Sequence, residues 1–409
     1  MKKARYLFLL LCLSGLLYQV QHLCNLYFSY DIITEVSVSF PVSFVPPALS
    51  LCFYIPMLIK WNETIEQYPS LLPMLGIFHT NISQIQQDFK QFSAYKELFK
   101  TDFLLKKQFQ TVGNTFKYTY NATELFAKCS WVNADKYYSI EYDECNNLYD
   151  IEPAITDPFM CFAFSHKQDV TYNYLRNQRM SGLPGYLSAV FLSNTSLMAA
   201  DEFILFYHPT RTLSRHGFTR YVYVREINRM ITLSYAIFEN YLLPPPFSTR
   251  CRDYTKSGFE DKADCFEFCV NKESFKRYKT LFPGPRIIAN HSDEVLLSAV
   301  DLMLDHSLAE GLQKIESDCD RICWQKDCEE QQYLPILQTT TPYKYAAITT
   351  FSEQQPTITS TYQQKVSFIQ FATDLCSAFG FCKYLFIMQK LVTNQFCHHR
   401  ARNVHIQRL

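Results

Sequence analysis

Ten cysteines confined between two apolar runs constrain this chain more than any other feature. Of fifteen cysteines in all, Cys12 and Cys24 fall in or near an apolar run that opens at Tyr6, and Cys376, Cys382 and Cys397 fall in or beyond a second that opens at Val366. Between them lie Cys52, Cys129, Cys145, Cys161, Cys251, Cys265, Cys269, Cys319, Cys323 and Cys328. An even set is what full pairing in an oxidising compartment requires. Five Asn-x-Ser/Thr sequons, at Asn62, Asn81, Asn121, Asn194 and Asn290, share that middle section, and none lies outside it. Acceptors for N-linked sugar belong to the same lumenal route as disulfides.

The two runs predict how the middle is anchored. Tyr6 to Phe28 is long enough to cross a hydrocarbon core of about 30 Å, which takes roughly 20 helical residues. Lys2, Lys3 and Arg5 precede it, and aromatic residues stand at both of its ends. A cleaved signal peptide and an uncleaved anchor both fit a basic start and an apolar core. No small-x-small cleavage pattern follows, which favours the anchor. The second run, Val366 to Val392, is interrupted by Asp374 and Lys383. Ionisable groups at membrane depth face a bundle interior or a watery path; a buried helix of a soluble domain is the competing reading. Lys390 stands at its end, and Arg400, Arg402 and Arg408 follow it. Basic flanks on both runs place both termini in the cytoplasm. The expected order is a short tail over 1–5, a span over 6–28, an extracellular domain over 29–365, a second span over 366–392 and a basic tail over 393–409. The partner of both spans is a lipid bilayer, and the location is the plasma membrane.

Charge and motif content exclude other classes. Thirty-nine basic residues against 39 acidic ones give zero net charge, which argues against a nucleic-acid binder. No Gly-x-Ser-x-Gly, His-Glu-x-x-His or P-loop pattern is present, so no enzyme and no cofactor are expected. His79, His166, His208, His216, His291 and His306 are scattered, and most of them read as plain surface or turn residues. Glu316, Asp318, Asp320, Asp327, Glu329 and Glu330 read as a solvated face, as do Asp261 and Asp264. Aromatics reach 16% of the chain, and such side chains pack well on pleated surfaces. Thr34 to Phe44 alternates apolar and polar, as a strand does. Residues 186–207 and 218–240 also read as strands, and Ile65 to Lys128 as loosely helical. The fold class is α+β, with one compact ectodomain.

The block from Leu242 through Pro244, Pro245, Pro246 and Phe247 to Cys251 and Tyr254, followed by Gly258, Phe259, Cys265 and Cys269, resembles a signature of the degenerin/epithelial sodium channel superfamily. Tyr27 and Tyr30, the run Phe44 to Cys52 with its two prolines, His208-Pro209, and the closing set Cys319, Cys323, Cys328 and Tyr333 are similar to that family's pattern in the same order. Asp374 to Val392 aligns with its pore-lining span.

The resemblance implies a central β-sheet core, a finger-like insertion about 62–185 and a helical-hairpin thumb about 251–333. It implies the disulfides Cys251–Cys328, Cys265–Cys323 and Cys269–Cys319, with Cys52–Cys161 and Cys129–Cys145 completing the set. Six cysteines allow fifteen connectivities. Spacing of four within Cys265/Cys269 and Cys319/Cys323 puts each pair on one helical face, which a hairpin would bring together; a zinc site is the competing use of such pairs. The resemblance also implies an amiloride-sensitive sodium or cation channel subunit, a homo- or heterotrimer with related subunits, with sodium ions passing along the second span. The pore region would then comprise Asp374, Gly380, Lys383, Tyr384, Leu385 and Phe386. There the sequence departs from the family, because Tyr384, Leu385 and Phe386 stand where a Gly-x-Ser filter belongs. A divergent or accessory subunit fits that departure. The rival reading is a non-conducting two-span receptor or adhesion glycoprotein.

Overall fold

The computed structural model describes residues 2–40, 43–70, 111–132, 140–156, 159–167, 172–173, 186–192, 203–209, 221–224, 229–281, 287–288, 295–296, 305–342, 347–352, 357–380, 383–384 and 387–388. They belong to two compact units. One comprises Met1–Glu35, Leu242–Cys251 and Thr361–Leu409, the other Val36–Tyr241 and Arg252–Ser360. The long helices are α1 (Lys2–Phe28), α2 (Lys262–Tyr278), α3 (His306–Ile322) and α4 (residues 368–380).

The first unit contains α1 and α4. Leucine, a strong helix former, dominates the first half of α1, and the helix stops where Tyr30 turns left-handed at φ 51°. Helix α4 starts at Ser367, whose Oγ accepts from the Gln370 backbone N–H at 3.1 Å, an N-terminal cap. Thr373 and Ser377 each donate their hydroxyl to the carbonyl four residues back, both at 2.8 Å. The helix thereby satisfies its own hydroxyls without water. Among the described residues, no helix is long and apolar enough to cross a membrane.

The second unit is built on two sheets. The larger orders its strands Ile32–Ser39, Thr357–Gln364, Arg229–Tyr241, Ala347–Ser352, Tyr186–Leu192, Phe126–Val132 and Ile140–Asp143, with Glu329–Pro342 paired to Arg229–Tyr241 off that path. The smaller runs Val222–Val224, Phe203–His208, Ala48–Tyr54, Phe159–His166, Tyr149–Thr156 and Ile287–Ile288. Arg229–Tyr241 is antiparallel to Glu329–Pro342 and parallel to Ala347–Ser352. Its register with Glu329–Pro342 skips Gln338, whose Nε2 donates to Ser234 Oγ at 3.0 Å. The strands expected near 34–44, 186–207 and 218–240 are present as Ile32–Ser39, Tyr186–Leu192 with Phe203–His208, and Val222–Val224 with Arg229–Tyr241. In the stretch expected to be helical, Trp61–Gln67, Val112–Tyr118 and Ala122–Leu125 are short helices; residues 71–110 lie outside the described residues. The fold is α+β with disulfides in its sheets, as the sequence implies.

Period-two alternation explains the core. Along Ala48–Tyr54, Leu49, Leu51 and Phe53 join one buried cluster, while Cys52 joins another on the opposite face. Phe126 of the larger sheet packs against Phe162 and Phe164 of the smaller, ring centroids 5.4 and 4.8 Å apart. Burial of such a ring stabilises by about 1.5–3 kcal/mol. The bond Cys52–Cys161 joins residues directly opposite each other in the smaller sheet. Cys129–Cys145 ties a larger-sheet strand to the short helix Cys145–Leu148.

Helices α2 and α3 form a hairpin. Asp261 caps α2 by accepting from the Asp264 N–H at 2.7 Å, and Asp305 caps α3 by accepting from Ser307 N–H at 3.0 Å. Cys265 bonds Cys323 and Cys269 bonds Cys319. That nested pairing, first with last, requires the helices to run antiparallel. With all four sulfurs in disulfides, the zinc reading falls. Val270, Leu312, Ile315 and Cys319 fill the seam. The hairpin closes tightly because position 311 is glycine: a Cβ there would lie 1.9 Å from the Tyr278 hydroxyl.

Gly311→Ala is therefore expected to push Tyr278 out of the seam at a cost of about 1–3 kcal/mol. Thermal unfolding of the purified protein checks it. An unchanged melting temperature would mean that the tyrosine finds another seat.

Candidate functional site

Ring contacts gather at the junction where α1 ends and α4 begins. Tyr27 stacks on Phe371 with centroids 4.6 Å apart and meets Phe368 edge-on at 6.5 Å. Tyr30 meets Phe247 edge-on at 5.6 Å. Phe247 sits in a proline-rich turn that Thr249 closes, its hydroxyl donating to the Leu243 carbonyl at 2.6 Å. The Lys365 backbone N–H donates to the Asp31 carbonyl at 2.9 Å, and Lys365 Nζ lies 3.5 Å from Asp31 Oδ2. Tyr30 is a bulky residue in the left-handed region, a conformation that costs roughly 1–2 kcal/mol. Packing against Phe247 holds it there.

Helical periodicity sorts the faces of both helices. Half-buried Phe371, half-buried Leu375 and buried Ala378 form the stripe of α4 on the side of Tyr27. Turned about 180° away at 100° per residue stand Thr373, Ser377 and Gly380, all exposed, and one turn on stands Tyr384. Nothing lies within 4 Å of a Cβ built on Gly380. On α1 a half-buried stripe runs Cys12, Leu16, Val20, Leu23 and Tyr27. The first half of its other side is apolar too: Leu7, Leu10, Leu11, Leu13 and Leu17 are each more than half exposed, whereas Gln19, Gln21, His22 and Asn25 stand exposed on the second half.

At the base of the α2–α3 hairpin, three polar side-chain contacts cross between segments distant in sequence. Asp327 accepts from the Lys262 backbone N–H at 3.0 Å, at the first turn of α2, where the helix dipole favours an anion. Arg252 donates to the Ile322 carbonyl at 3.3 Å, at the last turn of α3, where a cation is favoured. Tyr254 donates its hydroxyl to the Gln325 carbonyl at 2.8 Å, and the Arg252 guanidinium lies over the Tyr254 ring. Burial pushes the Asp327 carboxyl up to about 6; the Lys262 N–H opposes that, and neighbouring Asp261 and Glu330 add to it.

The residues expected in the pore divide. Asp374 and Gly380 are exposed on α4, and Lys383 and Tyr384 are helical and exposed; Leu385 and Phe386 lie outside the described residues. Asp374 falls on a flank of the polar stripe and Lys383 on the other. Cys251 and Cys328 are both disulfide-bonded. Asn62 and Asn121 are exposed, while Asn81, Asn194 and Asn290 lie outside the described residues. Two expectations need correction. Asp261 and Asp327 are helix-capping groups and not a solvated face, because each finds unpaired backbone N–H groups. His208 is not a surface residue: it is 4% exposed, and its Nε2 lies 2.7 Å from Ser50 Oγ. His166 is half-buried against the Tyr149 ring at 4.6 Å, and burial holds its pKa down to about 4. The Phe371 and Phe247 contacts were not read from sequence, since an aromatic in an apolar run carries no mark of its partner.

A family model described as amiloride-sensitive sodium channel matches residues 6–375. The matched span takes in α1, both sheets and the hairpin and ends within α4, before Gly380. No curated protein matches the chain.

The pH dependences of Asp327 and His166 oppose each other. A raised carboxyl pKa contributes stability that is complete below the ordinary carboxylate range and is lost as pH rises through about 6. A lowered histidine pKa contributes stability that is complete above the ordinary histidine value and is lost as pH falls toward about 4. Asp327→Asn should flatten the first dependence and His166→Gln the second. Denaturant midpoints between pH 7 and pH 4.5 check both, and a wild-type profile retained in either variant would refute that assignment.

Proposed function

The chain belongs to the amiloride-sensitive sodium channel family, and on that premise we propose that it is a subunit of a trimeric sodium or cation channel of the plasma membrane. In this reading α1 and the 366–392 segment cross the bilayer, both termini are cytoplasmic, and the second unit is the extracellular domain. The observation that carries it is the division of helix faces. Over its first half, helix α1 is apolar on its packed side and on its exposed side, as a helix between a protein neighbour and lipid must be. Helix α4 turns Thr373, Ser377 and Gly380 away from α1, and such small polar residues let oxygens reach a passing cation. The hydroxyls of Thr373 and Ser377, already donating to their own helix, offer lone pairs outward.

Lys383 and Tyr384 favour a particular version of this reading. Around a three-fold axis, identical subunits would bring three ammonium groups and three phenol rings to one level. Charge repulsion in a low-dielectric pore opposes cation entry there. The chain then conducts best in company, as one divergent subunit among related ones. The ectodomain gates the path through the hairpin and the aromatic junction, where Tyr30, Phe247, Tyr27 and Phe371 couple the turn 242–251 to both helices.

Two recordings test this. In oocytes, the Tyr384→Gly/Phe386→Ser double change should create or enlarge a sodium current over that of the unaltered chain. In a conducting background, Ser377→Cys should make the current sensitive to a charged thiol reagent, while Leu10→Cys should not. Surface expression without current under any stimulus or partner would favour a non-conducting receptor.

A further inference from the structure

We propose that Asn62 carries an N-linked oligosaccharide attached before the helix Trp61–Gln67 packs, with Thr64 as the hydroxyl that the attachment needs. The inference rests on the extracellular placement of the second unit proposed above. It is carried by an energetic oddity at Thr64. That residue is 0% exposed, and its Oγ1 is buried with no hydrogen-bond partner among the described residues. A buried hydroxyl left unpaired destabilises a fold, and valine has nearly the same shape without that cost. Two other buried threonines avoid it: Thr115, within the helix Val112–Tyr118, donates to the Thr111 carbonyl at 3.3 Å, and Thr119, just past the end of that helix, donates to the Thr115 carbonyl at 2.8 Å. Thr64 makes no such bond although the Lys60 carbonyl four residues back accepts its backbone N–H at 2.9 Å.

The fold gains nothing from the hydroxyl, but the sequence Asn62-Glu63-Thr64 does. Asn62, two residues earlier, is exposed, so its amide can hold a large sugar in the finished fold. Glycosyl transfer to asparagine requires a hydroxyl residue two positions on. In the transfer, Asn62 Nδ2 bonds to the anomeric carbon of a lipid-diphosphate-linked oligosaccharide. The bond from that carbon to the diphosphate oxygen breaks, the amide gives up one proton, and the lipid diphosphate leaves with the electron pair. In the folded chain Thr64 is out of reach of a transferase, so transfer must come first and packing second. Asn121 differs in kind. Thr123 stays exposed, donating its hydroxyl to Asn121 Oδ1 at 2.6 Å, and that same oxygen accepts from the Glu124 N–H at 2.9 Å. Its sequon hydroxyl remains reachable after folding.

The full chain, expressed in a eukaryotic secretory line, supplies the test. Enzymatic glycan removal in heavy-oxygen water, followed by peptide mass spectrometry, should mark Asn62 in the wild type and in Thr64→Ser, and leave it unmarked in Thr64→Val. Thr64→Val should also melt roughly 2–4 °C above Asn62→Gln, since both lack sugar at residue 62 and only the second keeps the unpaired hydroxyl. Asn62 unmarked in a wild type with oxidised cysteines and a marked Asn121 would overturn the inference and leave the extracellular reading standing. Equal melting of the two variants would overturn the claim that the hydroxyl is an uncompensated cost. Reduced cysteines with every sequon unmarked would overturn both readings together.

Discussion

The stacking of Tyr27 on Phe371 is the contact on which the helical unit depends. The two rings belong to helices at opposite ends of the chain, and bringing such distant residues together costs loop-closure entropy that only contacts at the junction can offset. The Asp31–Lys365 ion pair is about half exposed on each side, so it contributes less than about 1 kcal/mol. An aromatic pair such as half-buried Tyr27 and Phe371 adds about 0.5–1.5 kcal/mol beyond the area it removes from water. Ring packing therefore outweighs charge here. The backbone bond from Lys365 to the Asp31 carbonyl then fixes the register between the two segments.

Much of the architecture was legible in the sequence because it depends on period. Spacing of four in Cys265/Cys269 and in Cys319/Cys323 demands one helical face each, and the two bonds follow once those faces meet. Alternation through 230–237 marks a strand whose side chains take turns between deeper and shallower burial, whereas the strand Ile32–Ser39 forms where Thr34–Phe44 alternates although Ile33 to Ser39 are all exposed. What period cannot encode is the partner. Phe371 looks no different from Phe368 or Phe379 in a run of apolar residues, and only the structure assigns it to Tyr27. Asp327 sits in a sequence neighbourhood full of acidic residues, and nothing local separates the one that turns inward to the Lys262 N–H from those that face water. His208 likewise hides its burial, because its partner Ser50 lies on a strand far away in sequence.

The same limit explains the pore. The sequence locates a disrupted apolar run and a departure from Gly-x-Ser at Tyr384, Leu385 and Phe386, but not which side of the helix each residue occupies. Helical geometry supplies that for Thr373, Ser377, Gly380 and Tyr384 by reference to Phe371, Leu375 and Ala378. Asp374 and Lys383 then fall on opposite flanks and off the stripe itself.

The hairpin joins two kinds of bond that respond to different forces. Along its length, Cys265–Cys323 and Cys269–Cys319 fix α2 to α3 covalently, and the Gly311–Tyr278 approach leaves the seam no slack. At its base Arg252, Tyr254 and Lys262 add hydrogen bonds, each of the order of 1 kcal/mol net or somewhat more where a charge takes part, and Cys251 and Cys328, which flank this set in sequence, are both disulfide-bonded. In the helical unit, strain is held in the left-handed Tyr30 backbone, and losing Phe247 would let that residue relax.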